Sequence, residues 1–122
     1  MTNLYLYLKN VIKKHIVIDE SVDGVVVSLS TENVSNTSTV GVLMEDVTIN
    51  FNVWCEDNKK NESKHDERQE EVVCAVSKIV EELKAMGIYQ TFSLLDIRQY
   101  NDEEYRYCNM RYLFKLRERE VK

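Results

Sequence analysis

Hydrophobic positions in this chain recur with two different periods, and the places where the period changes divide it into elements. From Thr2 to His15, Leu4, Leu8, Val11 and Ile12 fall on one side of a helical projection, with Lys9, Lys13 and Lys14 outside that stripe. This is the pattern of an amphipathic helix. After the turn dipeptide Asp23-Gly24, the run Val25-Val26-Val27-Ser28-Leu29-Ser30 is β-branched and partly alternating, and reads as a strand. Thr31 to Thr39 is polar and longer than a tight hairpin requires, which predicts a projecting loop. Val47 to Cys55 alternates without a break: Val47, Ile49, Phe51, Val53 and Cys55 on one face, Thr48, Asn50, Asn52 and Trp54 on the other. A strand with one buried and one solvated face is expected there.

Glu56 to Lys64 reads as a second hydrophilic loop, and Asp66 to Gln69 as the capped start of a second helix. The apolar arc of that helix runs through Val72, Val73, Ala75, Val76, Ile79, Val80, Leu83 and Met86 and stops at Gly87. Its opposite face carries Glu70, Ser77 and Glu81 beside the small residues Cys74 and Ala85. A hairpin closes the chain, with strands Thr91 to Tyr100 and Tyr105 to Arg117 around a turn at Asn101 to Glu104. Met110, Tyr112, Phe114 and Leu116 are expected to face inward, and Tyr107, Asn109, Arg111, Lys115 and Arg117 outward. The order α-β-β-α-β-β predicts an α+β fold, a mainly antiparallel four-stranded sheet with two helices packed on one face.

Length and composition narrow this reading. The 122 residues suit a single domain spanning 1–122, and 43% hydrophobic content is enough for a core. Sixteen basic and 21 acidic side chains leave a formal charge of -5. That balance argues against a general nucleic-acid binder, which gains affinity by neutralising phosphates. No run of apolar residues approaches the length of a membrane span, and no cleavable leader pattern is visible, so a soluble protein made in the cytosol is expected. The charge is uneven. Tyr105 to Lys122 carries +4, leaving -9 elsewhere, and opposite poles favour head-to-tail association. Leu6, Tyr7 and Trp54 lie off the apolar stripes and add exposed apolar area suited to a protein partner.

Catalytic chemistry finds little support. Cys55, Cys74 and Cys108 are an odd set at wide spacing, and free thiols are expected. His15 and His65 stand apart from other ligand types, so no metal and no cofactor is expected. Glu82-Leu83-Lys84 has the carboxylate-x-lysine spelling of a nuclease core, but magnesium chemistry of that kind needs it on a strand. Within the second helix it reads as a solvated face. A small Mg-dependent nuclease-like enzyme and a monomeric adaptor binding through Trp54 are the rival readings.

The alternating strand Val47 to Cys55 ending near a tryptophan is followed by the charged stretch Glu56 to Lys64 and the helix Asp66 to Met86. The acidic turn Asp102-Glu103-Glu104 then leads into the tyrosine-rich strand Tyr105-Arg106-Tyr107 and Tyr112-Leu113-Phe114-Lys115-Leu116. In this order of elements, from Leu4 to Arg117, the chain resembles the tail terminator, or tail-completion, proteins of tailed bacteriophages. The resemblance implies a structural virion protein with no active site, assembled in the bacterial host cytoplasm and located in the virion tail. It implies a homo-oligomer, usually a hexameric ring, that caps the tail tube and offers a docking surface to head–tail connector proteins. DNA would pass through such a ring without specific binding, and no membrane is involved. Another neck connector or minor capsid protein is the near alternative. Exposure patterns nominate Leu6, Tyr7, Asn33, Val34, Trp54, Lys59, Lys60, Cys74, Glu81, Arg111, Lys115 and Arg117 as interface residues.

Overall fold

A computed structural model describes residues 4–36 and 42–119. Thr2 and Asn3 of the expected first helix, residues 37–39 of the expected loop and the chain end after Arg119 lie outside the described residues. The elements run α1 (Leu4–His15), β1 (Ser21–Val22), β2 (Val25–Asn36), β3 (Val42–Glu56), α2 (Lys59–Ala85), β4 (Tyr89–Asn101) and β5 (Tyr105–Arg119). The strands form one antiparallel sheet in the order β1-β2-β3-β5-β4. The fold is α+β.

Alternation on β3 decides which side of the sheet is buried. Val47, Ile49, Phe51, Val53 and Cys55 are buried, while Asn50, Asn52 and Trp54 between them are partly open. The register with β5 sets Val47 opposite Phe114, Ile49 opposite Tyr112 and Phe51 opposite Met110, so the two central strands bring one continuous apolar face. Leu4, Leu8, Val11 and Ile12 of α1 join the same core as Val72, Ala75, Val76, Ile79, Val80 and Leu83 of α2. The helices pack on each other, α1 also on β3, and α2 on β3, β2 and β4.

Local chemistry fixes the turns. Asp23 and Gly24 both have positive φ, 53° and 83°, as a two-residue type I′ hairpin demands. They join β2 to the two-residue β1, which is too short to leave a periodic signal and makes the sheet five-stranded, where four strands were expected. Helix α2 ends in a Schellman motif: the Ile88 N–H donates to the Leu83 carbonyl and Gly87 N–H to that of Lys84, both at 3.0 Å, with Gly87 at φ 74°.

Two expected loops are regular structure instead. Strand β2 continues through Thr31 to Asn36, paired with β3 down to Glu45 and accommodating Glu32 as a bulge between Thr31 and Asn33. Polar residues suit a strand whose outer face is wet. Helix α2 begins at Lys59, capped by Asn58, whose side-chain oxygen accepts from the Asn61 N–H at 3.0 Å. Lys, Glu and Ser in this stretch are adequate helix formers, and a cap two turns ahead of Asp66 extends the helix over them.

Candidate functional site: an uncovered sheet edge

Strand β4 lies at the edge of the sheet, and its apolar side chains remain open. Phe92 stands opposite Phe114, Leu94 opposite Tyr112 and Ile97 opposite Met110, so all three extend the core face of β5 outward. The β5 residues are buried; Phe92, Leu94 and Ile97 are 39%, 44% and 48% exposed. Phe92 stacks on Phe114 with ring centroids 6.3 Å apart, which ties this row directly to the core. A bulge between Leu94 and Asp96 turns Leu95 out as well, at 43% exposure. On the other face Tyr100 stacks on Tyr107, centroids 4.9 Å apart. Edge strands are ordinarily blunted by charge or proline because their free backbone groups template pairing. Here a 13-residue strand with no described strand on its outer side carries five exposed large apolar side chains.

A ladder of charge crosses the outer face of the sheet and ends at the same edge. Arg111 on β5 donates from Nε and Nη2 to the two carboxylate oxygens of Glu32 on β2, at 2.7 and 2.8 Å. Its Nη1 donates to Asp96 Oδ2 on β4 at 3.1 Å. Arg98 lies 3.9 Å from that same oxygen, with 73% of its side chain exposed. Between the outer strands, Asn50 donates to Glu32, and Asn109 donates to Asn50 and Asn52. The Arg111 and Asn50 hydrogen bonds hold the Glu32 carboxyl below its ordinary range, and Glu32, then Asp96, raises the Arg111 guanidinium. Oδ1 of Asp96 is buried with no hydrogen-bond partner.

At one end of the sheet the β4–β5 turn is acidic. Asp102 Oδ1 accepts the Glu104 and Tyr105 N–H groups at 2.8 and 2.7 Å, and these bonds hold its carboxyl below the usual range. Burial, and then the Asp102 charge, push the Tyr107 phenol up. The Asp57 N–H donates to the Glu104 carbonyl at 2.8 Å, tying this turn to the start of α2. A solvent-open concavity of about 460 Å³ lies over Asp102, Glu103, Glu104, Tyr105 and Tyr107. Arg106 neutralises part of the surrounding charge, 3.4 Å from Asp57 and 3.6 Å from Glu62. Two of the six basic residues of the expected pole, Arg106 and Arg111, are paired with the subunit's own acids.

The residues nominated from sequence do not form one patch. Leu6 and Tyr7 are exposed on α1. Asn33 and Val34 sit within β2, not in a loop, with Val34 44% exposed. Lys59 and Lys60 open α2, and Cys74 and Glu81 lie on its solvent side. Lys115 is exposed on β5, whereas Arg111 and Arg117 are half-buried. Trp54 is half-buried too: Nε1 donates to Ser28 Oγ at 3.3 Å and the ring meets Tyr105 edge-on, so it adds little free apolar area. The β4 row, absent from that set, carried a signal in Phe92-Ser93-Leu94-Leu95-Asp96-Ile97, an apolar run that a four-stranded sheet must place at an edge or in the centre.

Glu82 belongs to helix α2, 3.6 Å from Lys14 Nζ and 3.5 Å from His15 Nε2. The strand placement that a nuclease reading requires is not met, and the carboxylate links α1 to α2 where a freely solvated face was expected. His65 is fully buried, not a loop residue. Its two ring nitrogens bond the Gln69 side-chain amide and the Val53 carbonyl, both at 2.9 Å, so the imidazole is fully satisfied within the subunit. Burial pushes the Cys55 and Cys108 thiols up, away from nucleophilic thiolate. Among the described residues, no group of three His, Cys, Asp or Glu is placed to hold a metal, and no helix is long and apolar enough to cross a membrane. No protein-family model and no curated protein matches the chain.

Proposed function

We propose that the protein is a structural assembly subunit of a bacteriophage or prophage tail, a tail-terminator-like protein that acts by forming a ring on the tail tube. The observation that carries this reading is β4, an edge strand whose exposed apolar row continues the hydrophobic core. Apolar area of this kind is unfavourable in water and marks a surface covered by another chain. The longer elements run α1, β2, β3, α2, β4 and β5, the order on which the resemblance rests, with β1 added and the two expected loops replaced by strand and helix. The charge of -5 suits a ring through which DNA slides without adhering.

Two measurements test the proposal. Light scattering on the full chain is expected to give one discrete closed oligomer; a strict monomer at high concentration would favour a monomeric adaptor and overturn the assembly reading. Deleting the gene from the phage or prophage genome that carries it is expected to abolish joined, infectious particles. Complete infectious particles without it would end the tail assignment.

A further inference from the structure

We infer that the occupant of the β4 edge is a second copy of this chain, which presents the free edge of its own β2 so that the two sheets join as one. This rests on the assembly reading above and adds the surfaces that make the joint. Successive antiparallel pairings along β2-β3-β5-β4 leave β2 and β4 running in opposite directions. A copy rotated about a ring axis parallel to the strands therefore sets its β2 antiparallel to the β4 it meets, continuing the sheet's alternation.

The far edge is free to receive it. Strand β1 pairs only with Val25 and Val26, and the Val27 carbonyl is taken by the Asp19 N–H at 2.8 Å. From Ser28 to Asn36 no described strand pairs with that side of β2. On the other edge no described strand pairs with the outer side of β4.

Charge selects this pairing. The ladder across the outer face reads Glu32, Arg111, Asp96, Arg98 from β2 to β4, so it opens on an acid at one edge and ends on a base at the other. Placed edge to edge, Arg98 of one copy meets Glu32 of the next, and the alternation of sign passes from subunit to subunit without a like-charge contact. Glu32 keeps capacity for it: Oε2 accepts from Arg111 and Asn50, but Oε1 from Arg111 alone. On the helix side the same approach brings the half-exposed Val34 alongside Ile97, with Leu94 next to it. Because the edges differ, the contact is heterologous, the kind that closes into rings.

The test is cross-linking with a short bis-maleimide in a Cys74→Ser background, since Cys55 and Cys108 are buried and Cys74 is exposed. Melting curves first establish that each variant is folded. A chain carrying both Arg98→Cys and Glu32→Cys is expected to give a ladder of covalent multimers. An equimolar mixture of the two single variants is expected to stop at the dimer, and either single variant alone to stay monomeric on a denaturing gel. Arg98→Glu, which sets like charges together, is expected to shift light scattering from oligomer to monomer. Dimers from Arg98→Cys alone would mean a two-fold β4–β4 contact and overturn the inference. Oligomers in light scattering with no cross-link in the mixture would overturn it while leaving the assembly reading intact, whereas a monomeric parent protein would remove both.

Discussion

Replacing His65 with alanine tests whether α2 is anchored where the structure places its first buried turn. His65 is a fully buried imidazole on the core side of α2, set against β3 with both nitrogens bonded. The substitution removes two hydrogen bonds, each worth a net of about 0.5–1.5 kcal/mol. It also leaves Gln69 and one lone pair of the Val53 carbonyl without their partner, and opens a void where an aromatic ring was. Truncating a large buried side chain to alanine costs about 3–5 kcal/mol in all. We expect His65→Ala to fall in that range.

The assay is urea unfolding followed by circular dichroism, at one fixed protomer concentration because assembly would add its own stabilisation. Glu67→Ala, in the same turn but exposed, is the control and should change stability by less than about 0.5 kcal/mol. A cycle with Gln69→Ala isolates the side-chain bond, with an expected coupling of about 1 kcal/mol. A loss below about 1 kcal/mol for His65→Ala would refute the reasoning, since a ring so placed cannot be removed that cheaply.

The remaining predictions concern other elements. Ile79→Ala deletes a fully buried branched side chain from the centre of α2 and should cost about 2–4 kcal/mol in the same unfolding assay. Asn58→Ala removes the cap that starts α2 at Lys59 and should cost about 1 kcal/mol, with helicity lost at that end by amide exchange. Glu32 and Asp102 titrate below their ordinary values of 4.5 and 3.8, so each contributes stability above those values that disappears as pH falls through its folded value. Acid titration of the melting temperature should therefore fall below about pH 4.5, and Glu32→Gln should flatten that limb; an unchanged limb would mean the Glu32–Arg111 contact carries no linkage.

Much of this fold was legible because its strongest signals are periodic. The alternation from Val47 to Cys55 and the arc from Val72 to Leu83 appear in the structure as the centre of the sheet and the buried stripe of α2. Several features the sequence concealed share one physical cause: polar residues that serve the structure. His65 and Arg68 continue the buried stripe of α2 two turns and one turn before Val72, yet read as loop and cap. Arg68 is admitted because its charge is met, by Glu71 through Nη1 and by the Val17 carbonyl at 3.2 Å through Nη2. Thr31 to Asn36 likewise looks like a loop to a hydropathy reading, because a strand with one wet face and a free edge needs few apolar residues. The β4 site escaped for a different reason. The run Phe92 to Ile97 gives no sign in the sequence of its place in the sheet, and the strand order puts it at an edge where Leu94, Leu95 and Ile97 stay exposed.

That strand order also separates the energetics of folding from those of association. A half-exposed side chain gains the monomer only part of the transfer free energy that full burial would give, while its exposed remainder invites uncontrolled pairing. Phe92, Leu94 and Ile97 therefore bring a hazard to a monomer that threonine or lysine at the same positions would avoid. Covering by a second chain turns the hazard into binding energy, and the unlike character of the two edges determines its form. In the inferred joint an acidic, mostly polar β2 edge meets an apolar β4 edge that ends in arginine, whereas self-pairing would set Glu32 against Glu32 or Arg98 against Arg98. Heterologous contacts of this kind have two outcomes, a ring where the rotation closes and a filament where it does not. The proposed tail cap requires the first, so under that proposal the twist of the joined sheet at the inferred β4–β2 seam, more than its strength, is what the surface would have to hold fixed.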